Sequence, residues 1–199
     1  MRHYAVVVVL SLSTVLGVFA QDSAPTSTVA AGNIPKVQGY IESENVVNSG
    51  VTTPQVSLLA YGPIHGKIGW EFWGIASRTW SEGYIGPTWT PASWVTLAIG
   101  AGAETGGARF GLSASGKKGR LFYLSANEWG RGSGRWFKDF VTVDVTSRLS
   151  AGVWYELGKG TGPTVNVRLF GEFRPYFTLC GGSKSGATAM AGATYSFSR

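Results

Sequence analysis

Cysteine is nearly absent from this sequence: Cys180 is the only one among 199 residues. A single cysteine cannot form an intramolecular disulfide, and it cannot supply the thiolate set of a structural zinc site. Small exported soluble domains often depend on disulfides because their cores are small. The composition therefore disfavours a domain stabilised by disulfides and a metal centre built on cysteines.

Charged residues are also scarce, at 14% of the chain against about 25% in typical soluble proteins. The formal net charge of +6 would suit a nucleic-acid partner, but the basic residues are dispersed. Only Lys117, Lys118 and Arg120 form a local group, which we interpret as a solvated turn. We therefore predict no nucleic-acid partner. Glycine, with 29 residues, and aromatic residues, at 13%, are plentiful instead, a balance typical of a sheet that faces lipid.

Beyond residue 20, no segment has eighteen consecutive apolar residues, so the sequence predicts no membrane-spanning helix there. The first twenty residues have the order of an export signal: Arg2, an apolar stretch over 5–19, and small residues before Gln21. We predict a cleaved signal peptide at 1–20, a flexible lead-in at 21–36 and one domain at 37–199. A closed barrel is then the remaining way into a membrane, because open strands leave backbone groups unpaired in hydrocarbon.

From residue 37 onward, short alternating runs are separated by turns rich in glycine, proline, serine and asparagine. The runs are 37–47, 55–62, 66–78, 81–90, 94–104, 107–116, 119–129, 135–147, 149–158, 164–174, 176–182 and 187–198. We predict an all-β fold, a single antiparallel up-and-down transmembrane β-barrel of about twelve strands, with ten as the alternative count. An even number of strands places both termini on one side.

Each run has one apolar and one polar face, which fits two opposite geometries. A soluble barrel turns its apolar face inward, whereas an outer-membrane barrel turns it toward lipid. Glu71, Asp144 and Arg168 put charges on the polar faces near mid-strand, while the connecting turns are short and carry few. The apolar faces are rich in alanine and glycine, which would fill a soluble core poorly. Aromatic residues also crowd the strand ends, as in interfacial girdles. These features favour the membrane geometry.

This geometry assigns two sets of residues. The predicted lumen-lining residues are Glu42, Glu44, Glu71, Glu104, Arg109, Lys138, Asp144, Glu156, Asn166, Arg168, Glu172 and Arg174. The predicted interfacial aromatic residues are Trp80, Trp89, Trp94, Trp129, Trp136, Phe173, Tyr176, Tyr195 and Phe197.

The closing stretch 189–197, the alternating strands and the girdle aromatics together resemble bacterial outer-membrane β-barrel proteins of the porin-like type. The resemblance covers about residues 37–199 and names no subfamily. It implies a Gram-negative outer membrane, a lipid bilayer as partner and insertion by the barrel-assembly machinery, which often reads a terminal aromatic residue. Here Ser198 and Arg199 follow Phe197, which departs from that pattern. The resemblance leaves the oligomeric state open.

The sequence favours a narrow channel that passes small polar solutes or ions through a charged lumen. Two alternatives stay open: a structural barrel with a closed lumen, and a soluble lipocalin-like carrier of an apolar ligand. An enzyme is disfavoured because His65, the one histidine beyond the signal, lies in a turn, and no nucleophile elbow is present. We predict no catalytic residues, no metal site and no cofactor.

Overall fold

The computed structural model describes residues 36–183 and 186–198. The predicted signal peptide and nearly all of the predicted lead-in lie outside these residues. Within the described part of the chain, no helix is long and apolar enough to cross a membrane.

Twelve antiparallel strands form one closed barrel in which each strand pairs with its neighbours in sequence and β12 pairs with β1. The prediction of a twelve-strand up-and-down barrel is confirmed. The strands are β1 Gln38–Asn48, β2 Val51–His65, β3 Ile68–Ser77, β4 Ser81–Ala92, β5 Val95–Glu104, β6 Gly107–Lys118, β7 Leu121–Gly130, β8 Gly134–Asp144, β9 Leu149–Glu156, β10 Gly160–Val167, β11 Phe173–Ser183 and β12 Gly186–Ser198.

The barrel has two rims, named here by the chain ends. The terminal rim holds the start of β1, the end of β12 and the turns β2–β3, β4–β5, β6–β7, β8–β9 and β10–β11. The far rim holds the other six connections. Both sets of connections are short, so the barrel carries no long loop within the described residues.

The inner and outer walls differ sharply in polarity. On β5, Leu97 and Ile99 are exposed on the outer wall, whereas Glu104 is buried on the inner wall. Arg109 and Glu128 are among the largest fully buried side chains, and both point inward. The barrel thus shields its polar groups and exposes its apolar ones, the polarity of a protein surrounded by lipid.

Glycines on the inner wall make room for aromatic rings. The ring of Tyr84 lies over Gly111 of β6, where an added Cβ would come within 3.0 Å of the ring. The ring of Tyr176 lies over Gly192 of β12 in the same way, at 2.7 Å. Because glycine has no side chain, a ring can pack flat against the strand and fill the interior close to the wall.

The predicted strand 164–174 is wrong, because the structure turns inside it. β10 ends at Val167 and β11 begins at Phe173, with a turn between them. Gly171 has a φ of 51°, and the rings of Phe170 and Phe173 stack at 5.2 Å across the turn. Apart from Phe170, which falls on the polar face, the apolar–polar alternation continues through these residues, so the sequence pattern did not reveal the turn. Arg168 and Glu172 consequently lie at the terminal rim, not in mid-strand. Asp144, also predicted near mid-strand, is the last residue of β8 and lies at the same rim.

Candidate functional site

A polar cavity of about 430 Å³ opens at the terminal rim, between β6 and β11. Its lining residues, which together we call the vestibule, are Lys117, Arg120, Asp144, Thr146, Ser147, Arg148, Ser150, Asn166, Arg168 and Arg174. They come from the ends of β6, β8 and β10, from the connections β6–β7, β8–β9 and β10–β11, and from the first residues of β9 and β11. Three consecutive connections on this rim each contribute an arginine to the lining, which makes the vestibule basic.

Five cationic side chains and one carboxylate line the vestibule. Lys117 Nζ pairs with Asp144 Oδ2 at 2.8 Å, and Ser150 Oγ donates to Asp144 Oδ1 at 2.8 Å. Just outside the lining, Glu172 pairs with Arg174 at 2.9 Å and with Arg168 at 3.6 Å. The carboxylates therefore neutralise only part of the positive charge.

Two features of the vestibule leave donors available to a solute. Arg120 and Arg148 make no ion pair with any residue in the described part of the chain. The Nε of Arg174 is buried and has no hydrogen-bond partner there. Because a buried donor without a partner costs free energy, an acceptor brought to this position would be bound favourably.

A second set of polar groups, the arginine cluster, lies inside the barrel near the far rim and comprises Glu82, Glu104, Arg109, Glu128 and Ser133. Arg109 Nη1 lies 2.9 Å from Glu82, 2.5 Å from Glu104 and 2.8 Å from Ser133 Oγ. Its Nε donates to Glu128 at 2.8 Å, and its Nη2 pairs with the same carboxylate. One guanidinium group thereby joins strands β4, β5, β6 and β7.

The turn between β7 and β8 folds over this cluster. The backbone N–H groups of Gly132 and Ser133 donate to Glu104 Oε1 at 2.5 and 2.8 Å, and Ser133 Oγ donates to Glu104 Oε2 at 2.6 Å. Charge-assisted hydrogen bonds of this kind are stronger than neutral ones. The turn is thus held across the far rim above the cluster.

A third set, the tyrosine cluster, lies on the other side of the interior and comprises Glu44, Gln55, Glu156, Lys159 and Tyr176. Tyr176 Oη and Gln55 Nε2 each donate to Glu44 at 2.5 Å. Lys159 Nζ pairs with Glu156 at 2.8 Å and with Glu44 at 3.6 Å. Burial of Lys159 in the β9–β10 turn disfavours its charged form, but Glu156 and Glu44 outweigh this and raise its pKa above the ordinary value.

Nine of the twelve predicted lumen residues lie in or beside these three places, and the other three lie elsewhere on the inner wall. Asp144, Asn166, Arg168 and Arg174 line the vestibule, with Glu172 beside it. Glu104 and Arg109 belong to the arginine cluster, and Glu44 and Glu156 to the tyrosine cluster. Lys138 lies on the inner wall with its Nζ 4.1 Å from the centre of the Trp154 ring. Glu42 and Glu71 also face inward, and Ser57 Oγ donates to Glu42 at 3.5 Å.

Two of the predicted interfacial aromatics instead face the interior. Tyr176 is buried and donates to Glu44, and Trp136 Nε1 donates to Glu156 at 3.3 Å. Trp80 lies in the β3–β4 turn, where its Nε1 donates to Glu82 at 2.9 Å. Proximity to a strand end suggested the interface, but strand parity decides which wall a side chain joins.

The other predicted aromatics lie on the outside near the rims. Trp89, Trp94 and Trp129 are exposed, and register places Phe173, Tyr195 and Phe197 on the outer wall near the terminal rim.

Sequence reasoning missed several interior residues. Glu82 and Glu128 join the arginine cluster, and Lys159 joins the tyrosine cluster. On β7, Glu128 shares the inner wall with the apolar residues Phe122, Leu124 and Ala126. The alternation of this strand therefore does not indicate which of its two faces points into the barrel. The sequence predicts a solvated turn at Lys117 and Arg120; both are exposed, and the structure also places them in the lining of the vestibule. The vestibule could have been predicted from the sequence, because basic residues recur in alternate connections of the strand order, and alternate connections lie on the same rim.

Comparison with known proteins supports the fold. No protein-family model and no curated protein matches the chain. The solved KdgM porin matches 79% of this chain and 99% of its own length, with a TM-score of 0.55 and 13% identity. The fold is that of the outer-membrane porins.

Two further porin-fold structures agree. The NanC porin matches 78% of this chain and 98% of its own length, with a TM-score of 0.51 and 10% identity. The Acinetobacter baumannii outer membrane protein Omp33 matches 82% and 98%, with a TM-score of 0.52 and 9% identity. These porins are channels and not enzymes. At such low identity the likeness establishes the fold, and residue roles depend on the geometry described above.

Proposed function

We propose that this protein is an outer-membrane channel that admits small anionic solutes through the vestibule. The observation that carries the proposal is the excess of cationic side chains around a cavity open to solvent at one rim. A cleft of one sign with low-dielectric walls concentrates ions of the opposite sign. The unpartnered Nε of Arg174 adds a directional donor for a carboxylate or phosphate oxygen.

The solved relatives add support of a coarser kind. The KdgM porin has been solved in complex with disordered oligogalacturonate, a ligand that carries carboxylates. This barrel shares that fold at 14% identity, so the comparison supports an anionic solute class without naming the solute. We extend to this chain the outer-membrane location, the lipid bilayer as partner, insertion by the barrel-assembly machinery, and a role without catalysis.

The clusters near the far rim make the proposed passage narrow. The arginine cluster and the tyrosine cluster lie on opposite sides of the interior, and both contain fully or nearly fully buried side chains. Their carboxylates also face the lumen. A solute that enters at the vestibule therefore meets a cationic region first and a region of paired charges afterwards, which favours small anions over bulky ones.

Conductance across planar bilayers tests the proposal. In a potassium chloride gradient, the wild-type protein should show steps with a reversal potential shifted toward that of chloride. Replacing three vestibule arginines, by Arg148→Gln, Arg168→Gln and Arg174→Gln together, should lower the anion-to-cation permeability ratio on the order of tenfold.

A matched control removes the same number of charges elsewhere. Arg78, Arg131 and Arg135 are exposed near the far rim, and their replacement by glutamine should change the permeability ratio much less. Equal effects of the two triple variants would contradict the role of the vestibule. If wild-type protein inserts but never conducts, the closed structural barrel replaces the channel as the function.

A further inference from the structure

Among the described strands, the outer wall carries one acidic or basic side chain in the interior of a strand. Asp139 is the central residue of β8, and register places it on the same wall as Val141 and Val143. It is exposed, and within residues 36–183 and 186–198 it makes no hydrogen bond or ion pair. The other outward charges on the described strands, Lys118 and Arg135, lie at the ends of theirs.

A carboxyl group at this position is unfavourable if the wall faces only hydrocarbon. Charged side chains on the lipid face of a barrel destabilise it, and the cost is greatest near the middle of the bilayer. Polar residues inside membranes therefore usually have a partner. The described chain offers Asp139 none, so the partner should come from another molecule.

The neighbours of Asp139 are polar as well. Ser125 of β7 and Tyr155 of β9 lie directly opposite Asp139 on the two adjoining strands, and Asn127 is the next outward residue of β7. We call these four residues the polar patch. The side chains of Ser125, Asn127 and Tyr155 have no hydrogen-bond partner in the described part of the chain.

The shape of the outer wall differs on the two sides of the polar patch. On the β5–β6 side, a hollow of about 270 Å³ is lined by residues that include Leu97, Leu112 and Ala114, and it reaches Ser125 and Asn127. On the β9 side, the rings of Phe137 and Tyr155 pack together at 5.0 Å. A hollow and an aromatic pair thus flank the same row of polar groups.

We propose that the polar patch is the contact surface for a second copy of this chain, paired by a two-fold axis along the membrane normal. Such an axis keeps every residue at its own depth, so the patch of one copy meets the patch of the other. Asp139 then accepts hydrogen bonds from Asn127, Ser125 or Tyr155 of the second copy. The aromatic pair of each copy faces the hollow of the other.

Self-association fits the patch better than a different partner does. The patch contains both an acceptor, Asp139, and donors, Ser125, Asn127 and Tyr155, so it is complementary to itself. Hydrogen bonds between polar side chains hold membrane segments together when lipid offers no alternative partner. The inference depends on the membrane setting of the proposed function, but not on whether the channel conducts.

Energy transfer between labelled copies in lipid vesicles tests the association. Wild-type protein should dimerise as the protein-to-lipid ratio rises. Asp139→Leu should weaken the dimer at least about tenfold, the loss expected when hydrogen bonds to a charged group are removed. Ser43→Leu makes a similar polar-to-apolar change on the outer wall of β1 and should leave the dimer unchanged.

Cysteine cross-linking locates the contact. Cys180 is buried inside the barrel, so the wild-type protein provides an unreactive background. Asn127→Cys should give a disulfide-linked dimer in vesicles, and Ala60→Cys, on the opposite strand β2, should not. Insertion of every variant is checked by heat-modifiable gel migration, which separates failure to insert from failure to dimerise.

Two results would overturn the inference. The first is inserted wild-type protein that stays monomeric at every ratio. The second is a dimer that survives Asp139→Leu and cross-links equally through Ala60→Cys. Capture of a different protein by Asn127→Cys in whole outer membranes, with the purified chain monomeric, would assign the patch to that protein and reject self-association.

Discussion

Arg109 is the residue on which the interior near the far rim depends most. Its guanidinium group contacts Glu82, Glu104 and Glu128 and has almost no exposure to solvent. Each ion removed from water carries a desolvation cost, which only good geometry and further hydrogen bonds can repay. The planar fork of arginine suits this task because it presents several donors in fixed directions.

Arg109→Ala should strongly destabilise the barrel, since it leaves three buried carboxylates without their shared cation. Breaking a buried ion pair from one side costs about 3–5 kcal/mol. Urea unfolding of the inserted protein, followed by tryptophan fluorescence, measures the loss. Arg78→Ala, which alters an exposed turn residue, should change the free energy of unfolding by less than about 0.5 kcal/mol. A loss no larger than that of the control would contradict the structural role of the cluster.

Individual strands are shaped by the pairing of glycine with an aromatic ring on a neighbouring strand. β12 contributes Gly192, which pairs in register with Tyr176 of β11 and with Glu44 of β1. The Tyr176 ring lies on Gly192, and its hydroxyl reaches Glu44. β12 therefore needs glycine at position 192, because a side chain there would obstruct the hydrogen bond that runs from Tyr176 on β11 to Glu44 on β1.

Gly192→Ala tests this packing. The added methyl group would lie 2.6 Å from the backbone oxygen of Ser43 on β1 and 2.7 Å from the Tyr176 ring, so both the strand contact and the ring must shift. Overpacking of this kind costs about 1–3 kcal/mol. The same unfolding assay should show that loss for Gly192→Ala. Gly181→Ala, which meets no atom within 4 Å, should be neutral or slightly stabilising; equal losses would show that the ring does not rest on Gly192.

The whole molecule is an inverted barrel, with charged residues joined inside and large apolar residues exposed outside. Exposed side chains such as Ile85, Ile99 and Phe110 cover the middle of the outer wall. A barrel of this polarity is stable only where the surroundings are apolar, because exposure of so much apolar surface to water costs roughly 25 cal/mol per Å². The soluble carrier alternative would require the reverse arrangement.

Lysine substitutions at two depths of the outer wall distinguish a barrel in a membrane from a barrel in water. Ile99 is 56% exposed near the middle of β5, and Ile99→Lys should destabilise the inserted barrel by about 2–4 kcal/mol. Val37→Lys, just before β1 at the terminal rim, should cost about 0–1 kcal/mol. Unfolding from vesicles gives both values. In a soluble protein both exposed lysines would be tolerated, so two small losses would reject the membrane setting.

The observed positions of Arg168 and Tyr176 differ from the predicted ones and show what the sequence pattern could not predict. Alternation of apolar and polar residues is a local property, so it predicted twelve antiparallel strands and the polarity of most of them. It did not show that the chain turns between Val167 and Phe173, because the alternation is interrupted only at Phe170. It also could not decide the wall of an aromatic residue near a strand end.

Composition and alternation by themselves determined the fold class, a strand number of about twelve with ten as the alternative, and the excess of polar groups on one wall. Only the tertiary structure decided which polar groups meet. Tyr176 and Glu44 are 132 residues apart and come together because β12 closes on β1. The vestibule and the polar patch likewise arise from residues on several strands. Strand register and barrel closure fix such contacts, and both are properties of the whole sheet that no single segment contains.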